Sequence, residues 1–425
     1  MKILIIKNDG FGDLIIIKDL LKKINKEKNE IDIVLSKHNE IFFNQLINIQ
    51  NKYVFDLYGP NFNIKKNVPR KDKKLLKKLN NKSYDLCIVL RRYLNTEQVA
   101  ILNHINTKKI FLCYQFYNSE IELKKKFFKI NVPKHYINDY DYFFYFLKKI
   151  KLLKYNSKYL INKRHKKNNY LVLNLSGEKQ FKEIDNLEIL LKIILKNFNN
   201  KIYLIGKTFN KQMNVKINKK LTKIKNINLI NLWSKTNFKY SMKIIKNSEY
   251  YVGFDTGLSH YASLENKKSL IILNSGGANK WFPHSKDFIT NTTYWVFNTA
   301  CAGCNFSGNY NKCHYNVRYC VDNIFLEKDK VNNNFIKFLK NKSVKFINYS
   351  NNNFISTDWN QKAKNIEFKI INKSGYLNDS KKFLNNLYFI FKNFFILIKN
   401  QNKIILTIKL LLKNLVSLFY QTIIR

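Results

Sequence analysis

Two short segments of this 425-residue chain hold residue types suited to binding a phosphorylated ligand and moving a proton. The first is Gly10-Phe11-Gly12-Asp13. It follows the apolar run Ile3–Ile6, which reads as a buried parallel strand, and precedes Leu14–Ile24, where apolar residues recur at helical spacing. Small residues at a strand-to-helix turn let a ligand approach the backbone, and the helix start offers free N–H groups. Asp13 falls in the first helical turn, where an acid is also an ordinary dipole-favoured residue. The third glycine of a dinucleotide-binding fingerprint is missing. The second segment is Gly253-Phe254-Asp255-Thr256-Gly257-Leu258-Ser259-His260. A strand is expected to end at Phe254 and a helix to start near Leu258. Its N–H groups, with the Thr256 and Ser259 hydroxyls, suit a diphosphate, and Asp255 suits sugar hydroxyls. The plainer alternative is a capped turn with a buried histidine.

Cys301, Cys304, Cys313 and Cys320 form a third group, with His314 beside them. Four thiols so close in sequence can hold a structural zinc tetrahedrally, although the spacing is irregular for a zinc ribbon. Reduced or optionally paired packing is the competing reading. Cys87 and Cys113 lie in strand-like text and read as core. Arg91 and Arg92 follow a strand and suit acidic sugars or phosphates, or else are solvated loop charge. The aromatic run Tyr140–Phe146 reads as packing rather than as a sugar platform.

The elements that must position these groups alternate between strand and helix. Strands are expected at Ile3–Ile6, Ile31–Leu35, Asp85–Leu90 and Lys109–Cys113. Residues 117–168 read as aromatic, Lys-rich helical text that ends in the polar stretch Asn162–Asn169, where a linker is expected. A second series follows, with strands at Tyr170–Leu175, Lys201–Ile205, Ile227–Leu232, Tyr250–Phe254 and Leu270–Leu273, and helices at Leu187–Leu195 and Tyr240–Asn247. This predicts an α/β protein of two doubly wound, Rossmann-like halves facing a cleft. The expected division is 1–165, then 166–345 with the Cys-rich loop 301–320, then a basic apolar helical tail, 346–425. From Lys381 to the end the tail has eight basic residues and no acid. It reads as an interfacial helix or as terminal helices packed on the body.

Lys and Arg number 76 against 29 acids, a formal charge of +47. Only six of the basic residues are Arg, whereas nucleic-acid recognition favours the Arg fork, so no nucleic-acid partner is expected. Crowding by Lys, Asn, Ile, Tyr and Phe matches AT-rich codons, which account for most of the charge. The remaining consequence is affinity for anionic membrane surfaces or glycans. No secretory signal and no long uncharged span are visible, which suggests a cytoplasmic protein peripheral to the inner face of the inner membrane.

Asp9-Gly10-Phe11-Gly12-Asp13, taken with Asp255-Thr256-Gly257-Leu258-Ser259-His260-Tyr261-Ala262, resembles glycosyltransferase family 9, the ADP-heptose:lipopolysaccharide heptosyltransferase family. Further likenesses follow in order: Asp85–Leu90 with Arg91, Leu173–Ser176 with Lys179, Asn228–Leu232, Asn274-Ser275-Gly276-Gly277 with Trp281-Phe282-Pro283, and the Cys-rich loop. Together they span roughly residues 1–335. The resemblance implies a GT-B fold, with a nucleotide-diphosphate sugar donor on the second half and a glycan or glycolipid acceptor on the first. It implies that Asp13 is the general base. It places Thr256 and Gly257 on the diphosphate, Asp255 on the donor sugar and Lys179 on the phosphate charge. Gly12, Ser259, His260, Gly276 and Gly277 complete the donor set, and Arg91 and Arg92 face the acceptor. Gly206–Asn210 stands where a ribose-binding turn is expected but lacks its second glycine and acid, so the nucleotide does not carry over.

The chemistry is coherent on its own terms. Inverting transfer needs a carboxylate to take the acceptor proton, and a helix N-terminus with a lysine can support the departing diphosphate. No Asp-x-Asp pair lies at a strand end in the second half, so no metal or other cofactor is expected for catalysis. Transfer of a different nucleotide-activated sugar, or a non-catalytic sugar-nucleotide-binding relative, are the alternatives.

Overall fold

The computed structural model describes residues 1–24, 29–37, 39–41, 46, 49–56, 70–119, 121–133, 138–153, 168–175, 187–208, 211–224, 226–273, 281–282, 284, 291–297, 321, 323–341 and 346–349. The chain divides into two compact units, Met1–Leu160 and Ile161–Arg425.

In the first unit the strands are β1 (Lys2–Lys7), β2 (Glu30–Ser36), β3 (Asn51–Phe55), β4 (Ser83–Val89), β6 (Asn106–Leu112) and β8 (Phe128–Lys129). They form one sheet in the order β3-β2-β1-β4-β6-β8, and every pair is parallel. A small second sheet joins β5 (Tyr93–Asn95) to β7 (Phe116–Asn118). The intervening helices are α1 (Phe11–Lys23), α2 (Arg70–Asn80), α3 (Thr96–His104) and α4 (Asp139–Lys149). Strand β1 is a continuous apolar run because both sheet faces are covered: Ile3 to Ile6 are all fully buried. The core gathers Leu4, Ile6, Val34, Phe55, Tyr84 and Val89 with residues of α3.

The second unit repeats the plan. Its strands are β9 (Asn168–Asn174), β10 (Ile202–Ile205), β11 (Leu229–Asn231), β12 (Ser248–Phe254), β13 (Lys268–Leu273), β14 (Thr292–Val296) and β15 (Phe346–Asn348). They lie in the order β11-β10-β9-β12-β13-β14-β15, again all parallel. Helices α5 (Leu187–Asn197), α6 (Lys211–Thr222), α7 (Phe238–Asn247) and α8 (Gly257–Leu264) connect them, and α9 (Lys328–Leu339) adds Val331, Phe335 and Phe338 to the core.

Three expectations change. Within 117–168 the expected helix is α4, but the segment also supplies the strand β8, and Asn168–Asn169, read as the end of the linker, open β9. Phe346–Asn348, assigned on composition to the tail, pair with β14 as an edge strand. Strands β3, β14 and β15 were not anticipated. The aromatic run does pack inward: Tyr140, Tyr142, Phe143 and Phe146 are buried, as are the free thiols of Cys87 and Cys113. Burial pushes both thiols well above the ordinary thiol range. The tail from residue 350 onward, including Lys381–Arg425, lies outside the described residues. Among the described residues, no helix is long and apolar enough to cross a membrane.

Candidate active site

In both sheets the strand order reverses beside the first strand, between β1 and β4 and between β9 and β12. Open α/β sheets bind ligands beyond the carboxyl ends of strands at such switch points. Gly10–Asp13 leaves the end of β1, Arg91 and Arg92 leave β4, and Asp255–Gly257 leave β12. Sequence reasoning and topology therefore converge on the same turns.

At the first turn, Gly10 is the N-cap of α1 and Asp13 is in its first turn, half-buried. The preceding residues are tied down on several sides. The Ser36 hydroxyl and the Asn39 amide both donate to the Asp9 carbonyl, each at 2.9 Å. Gln98 Nε2 donates to Asn8 Oδ1 at 2.7 Å. Lys7 Nζ is buried, 2.6 Å from Asp9 Oδ2 and 3.0 Å from the Leu90 carbonyl, over the Phe143 ring. Burial pushes the Asp9 carboxyl up to about 6, Lys7 opposes that rise, and the charge of Asp13 adds to it. A buried, paired Asp9 beneath a half-buried Asp13 leaves Asp13 as the accessible carboxylate of the pair.

Arg92 departs from its expected role. Its side chain is buried, 2.6 Å from Asp139 Oδ1, with the guanidinium stacked 4.2 Å over the Tyr142 ring. It fastens α4 to the end of β4 and has no open face for an acceptor. Arg91 is half-buried and pairs with buried Glu97 at 3.0 Å. Asn95, whose backbone N–H reaches Gln98 Oε1, closes a capping box that starts α3 beside this pair.

At the second turn, α8 starts at Gly257 with Thr256 as N-cap, and both residues are half-buried. Asn174, at the end of β9, donates through Nδ2 to Tyr251 Oη and to Thr256 Oγ1, both at 3.0 Å. Ser259 Oγ lies 2.9 Å from Tyr251 Oη and 3.2 Å from Thr256 Oγ1, and it donates to the Phe254 carbonyl. The turn is thus held rigid from below, with the start of α8 at its outer edge. Asp255, Ser259 and His260 are turned into the protein. Asp255 Oδ1 is 3.5 Å from His260 Nε2, and His260 Nδ1 is 2.8 Å from His284 Nε2. The His260 ring stacks on Phe282 at 4.1 Å. These three side chains, expected on the donor, shape the turn in this structure, whereas Thr256 and Gly257 edge its surface.

Burial, and secondarily the neighbouring His260, hold His284 well below the ordinary histidine value of 6.5. The unfolded chain takes up a proton near 6.5, and the folded chain refuses it. The unfolded state therefore binds more protons below that pH, and stability is lost as pH falls below about 6.5. The urea midpoint, followed by emission of buried Trp233 and Trp295, should be lower at pH 5 than at pH 7.5. His284→Gln should shrink that difference, and an undiminished difference would place the acid sensitivity in another group.

Asn174, Tyr251, His284, Lys7 and Glu97 were not singled out from the sequence. A lysine ending an apolar strand run was the one available signal, since buried lysines need partners. Lys179, Gly276, Gly277 and Cys301, Cys304, Cys313 and Cys320 lie outside the described residues, and Gly12 sits half-buried in α1.

The family model described as glycosyltransferase family 9 (heptosyltransferase) matches residues 73–286. The chain belongs to this family and is a glycosyltransferase. Among solved structures it is similar to a glycosyl transferase family 9 protein from Veillonella parvula DSM 2008. Identity is 12%, coverage is 69% of this chain and 85% of that one, and the TM-score is 0.53. It is also similar to E. coli heptosyltransferase WaaC with ADP, at 14% identity, 64% and 87% coverage and a TM-score of 0.47. Among curated proteins, none matches this chain. The two Rossmann-like units and the Veillonella parvula likeness define a GT-B fold.

Proposed function

We propose that this glycosyltransferase moves a heptose-like sugar, with inversion, from a nucleoside-diphosphate sugar to a hydroxyl of a surface-glycan or glycolipid acceptor. The supporting observation is the position of two unlike turns at the two switch points. One offers a half-buried carboxylate, Asp13, and the other a helix start with the Thr256 hydroxyl and the Gly257 N–H. In the reaction the acceptor oxygen attacks the anomeric carbon as the bond from that carbon to the diphosphate oxygen breaks. Asp13 takes the acceptor proton. The charge arriving on the diphosphate meets the N-terminus of α8, Thr256 and Lys179, with Gly12, Gly276 and Gly277 allowing close backbone approach. Asp255, Ser259 and His260 position the turn, and Arg91 borders the acceptor side. The basic charge, with a lipid-borne acceptor, supports action on an anionic membrane surface, at the cytoplasmic face.

The test is hydrolysis and transfer by the full chain against a panel of nucleotide sugars. One donor should be consumed well above the rest, releasing its nucleoside diphosphate. Binding without turnover of any donor would instead establish a non-catalytic sugar-nucleotide-binding relative.

A further inference from the structure

Large apolar residues exposed on a protein surface are ordinarily scattered, and a contiguous exposed group marks an interaction site. Here Tyr117, Phe127 and Phe128 are exposed together on the first unit, Phe128 at 54%. Ring contacts join them to the sheet. Tyr114 lies 5.9 Å from Tyr117 and 6.4 Å from Phe127, and Phe128 lies 5.2 Å from Phe111. Phe127 and Phe128 share a shallow depression of about 470 Å³ with Lys124, Lys125 and Lys126. Lys129 crosses the Tyr114 ring at 4.2 Å. From Leu123 to Pro133 the chain has four lysines and no acid.

The segment is anchored, so these rings do not reflect a slack loop. Asn103, in α3, donates to the Glu122 carbonyl and accepts from the Lys124 N–H, both at 2.9 Å. Lys125 donates to the Ile105 carbonyl. Ile121 and Leu123 pack on the core, while Phe127 and Phe128, which lead into and open the edge strand β8, are exposed. We infer that the Lys124–Lys129 surface docks the first unit onto an anionic phospholipid bilayer, with Phe127 and Phe128 in the head-group boundary and Lys124, Lys126 and Lys129 on lipid phosphates. The mixture of groups selects this partner. Aromatic rings flanked by lysines suit the bilayer interface, where one side is apolar and the other charged. A soluble polyanion would engage the lysines and leave Phe128 in water. Nucleic acid would favour arginine, and this segment has none.

The inference rests on the membrane-surface part of the function proposed above, and the experiment separates the two. Full-length protein is co-sedimented with vesicles of phosphatidylglycerol and phosphatidylcholine, and with phosphatidylcholine alone. Wild type should bind the anionic vesicles only, with high salt weakening the binding. Lys124→Glu/Lys126→Glu and Phe127→Ser/Phe128→Ser should each weaken binding by about tenfold or more, whereas Phe127→Leu/Phe128→Leu should retain it. Emission of Phe128→Trp should be quenched by brominated phosphatidylglycerol beyond any quenching of wild type. Wild type that ignores anionic vesicles would overturn both readings. Wild-type binding left intact by both polar variants would overturn this inference alone. So would loss in the lysine variant with no loss in the serine variant and no added quenching, which would mark electrostatic adsorption without entry of the rings into the head-group boundary.

Discussion

Asp13→Asn should lower glycosyl turnover by about 10²–10⁴-fold while donor affinity and fold are retained, the usual worth of a positioned general base. The substitution is nearly isosteric at a half-buried position in the first turn of α1, so its structural cost is small. Asp9 cannot take over. Its carboxyl is buried and held at 2.6 Å by Lys7, which also grips the Leu90 carbonyl. The competing view makes Asp13 only a dipole-favoured helix residue, worth about 0.3–1 kcal/mol of stability and nothing in rate. Single-turnover kinetics with saturating donor separate the two, because they read the chemical step without product release. Turnover within a few-fold of wild type would remove Asp13 from the reaction.

That turn was readable because strand, small-residue turn and helix follow one another within a single local pattern. The apolar run of β1 and the 3.6-residue spacing of α1 both point at the same four residues. The turn at Asp255–Gly257 is legible for the same reason, between β12 and α8. What surrounds the turns was not legible. Arg92 reads in the sequence as an acceptor contact, and only the fold brings Asp139 and Tyr142, on a distant helix, against it. His284 acquires its role only through contact with His260, and Asn174 only because β9 lies beside β12. Strand β3 escaped notice because it is an edge strand that buries mainly Tyr53 and Phe55 among polar neighbours. Strand β14, by contrast, is buried throughout, but its text Thr-Thr-Tyr-Trp-Val opens on two threonines and lacks the aliphatic run that flags a central strand. Pairings remote in sequence carry no local signal, so buried ion pairs and cross-sheet hydrogen bonds emerge only with the fold.

Gly253→Ala should damage the second turn out of proportion to the single methyl added. Strand residues two apart share a face, and the Tyr251 ring lies back over Gly253 to reach Asn174 and Ser259. A Cβ at position 253 would stand 2.7 Å from Tyr251 Oη, 2.9 Å from Cε1 and 3.0 Å from Cζ. Real Cβ atoms do not approach so closely, so the ring must move. Tyr251 is fully buried and hydrogen-bonded at 3.0 Å to Asn174 and 2.9 Å to Ser259, and moving it breaks the bonds that hold Thr256 in place. Overpacking of this kind costs about 1–3 kcal/mol. Ordinary glycine-to-alanine logic has the opposite sign, since alanine reduces unfolded-chain entropy and stabilises a compatible site by about 0.4–1 kcal/mol. The direction of the change in urea midpoint therefore decides between them. Nucleoside-diphosphate affinity, measured by calorimetry, should fall by about tenfold, the equivalent of one weakened charge-assisted contact. Tyr251→Leu alone should also destabilise, because it removes one of the two hydroxyls, Tyr251 Oη and Thr256 Oγ1, that Asn174 and Ser259 share. In the double variant Gly253→Ala/Tyr251→Leu the two costs should fall short of their sum by about 0.5–3 kcal/mol, since the ring that clashes is already gone. Strict additivity, or a stabilised Gly253→Ala protein with unchanged nucleotide affinity, would mean that the glycine is not there to make room for Tyr251.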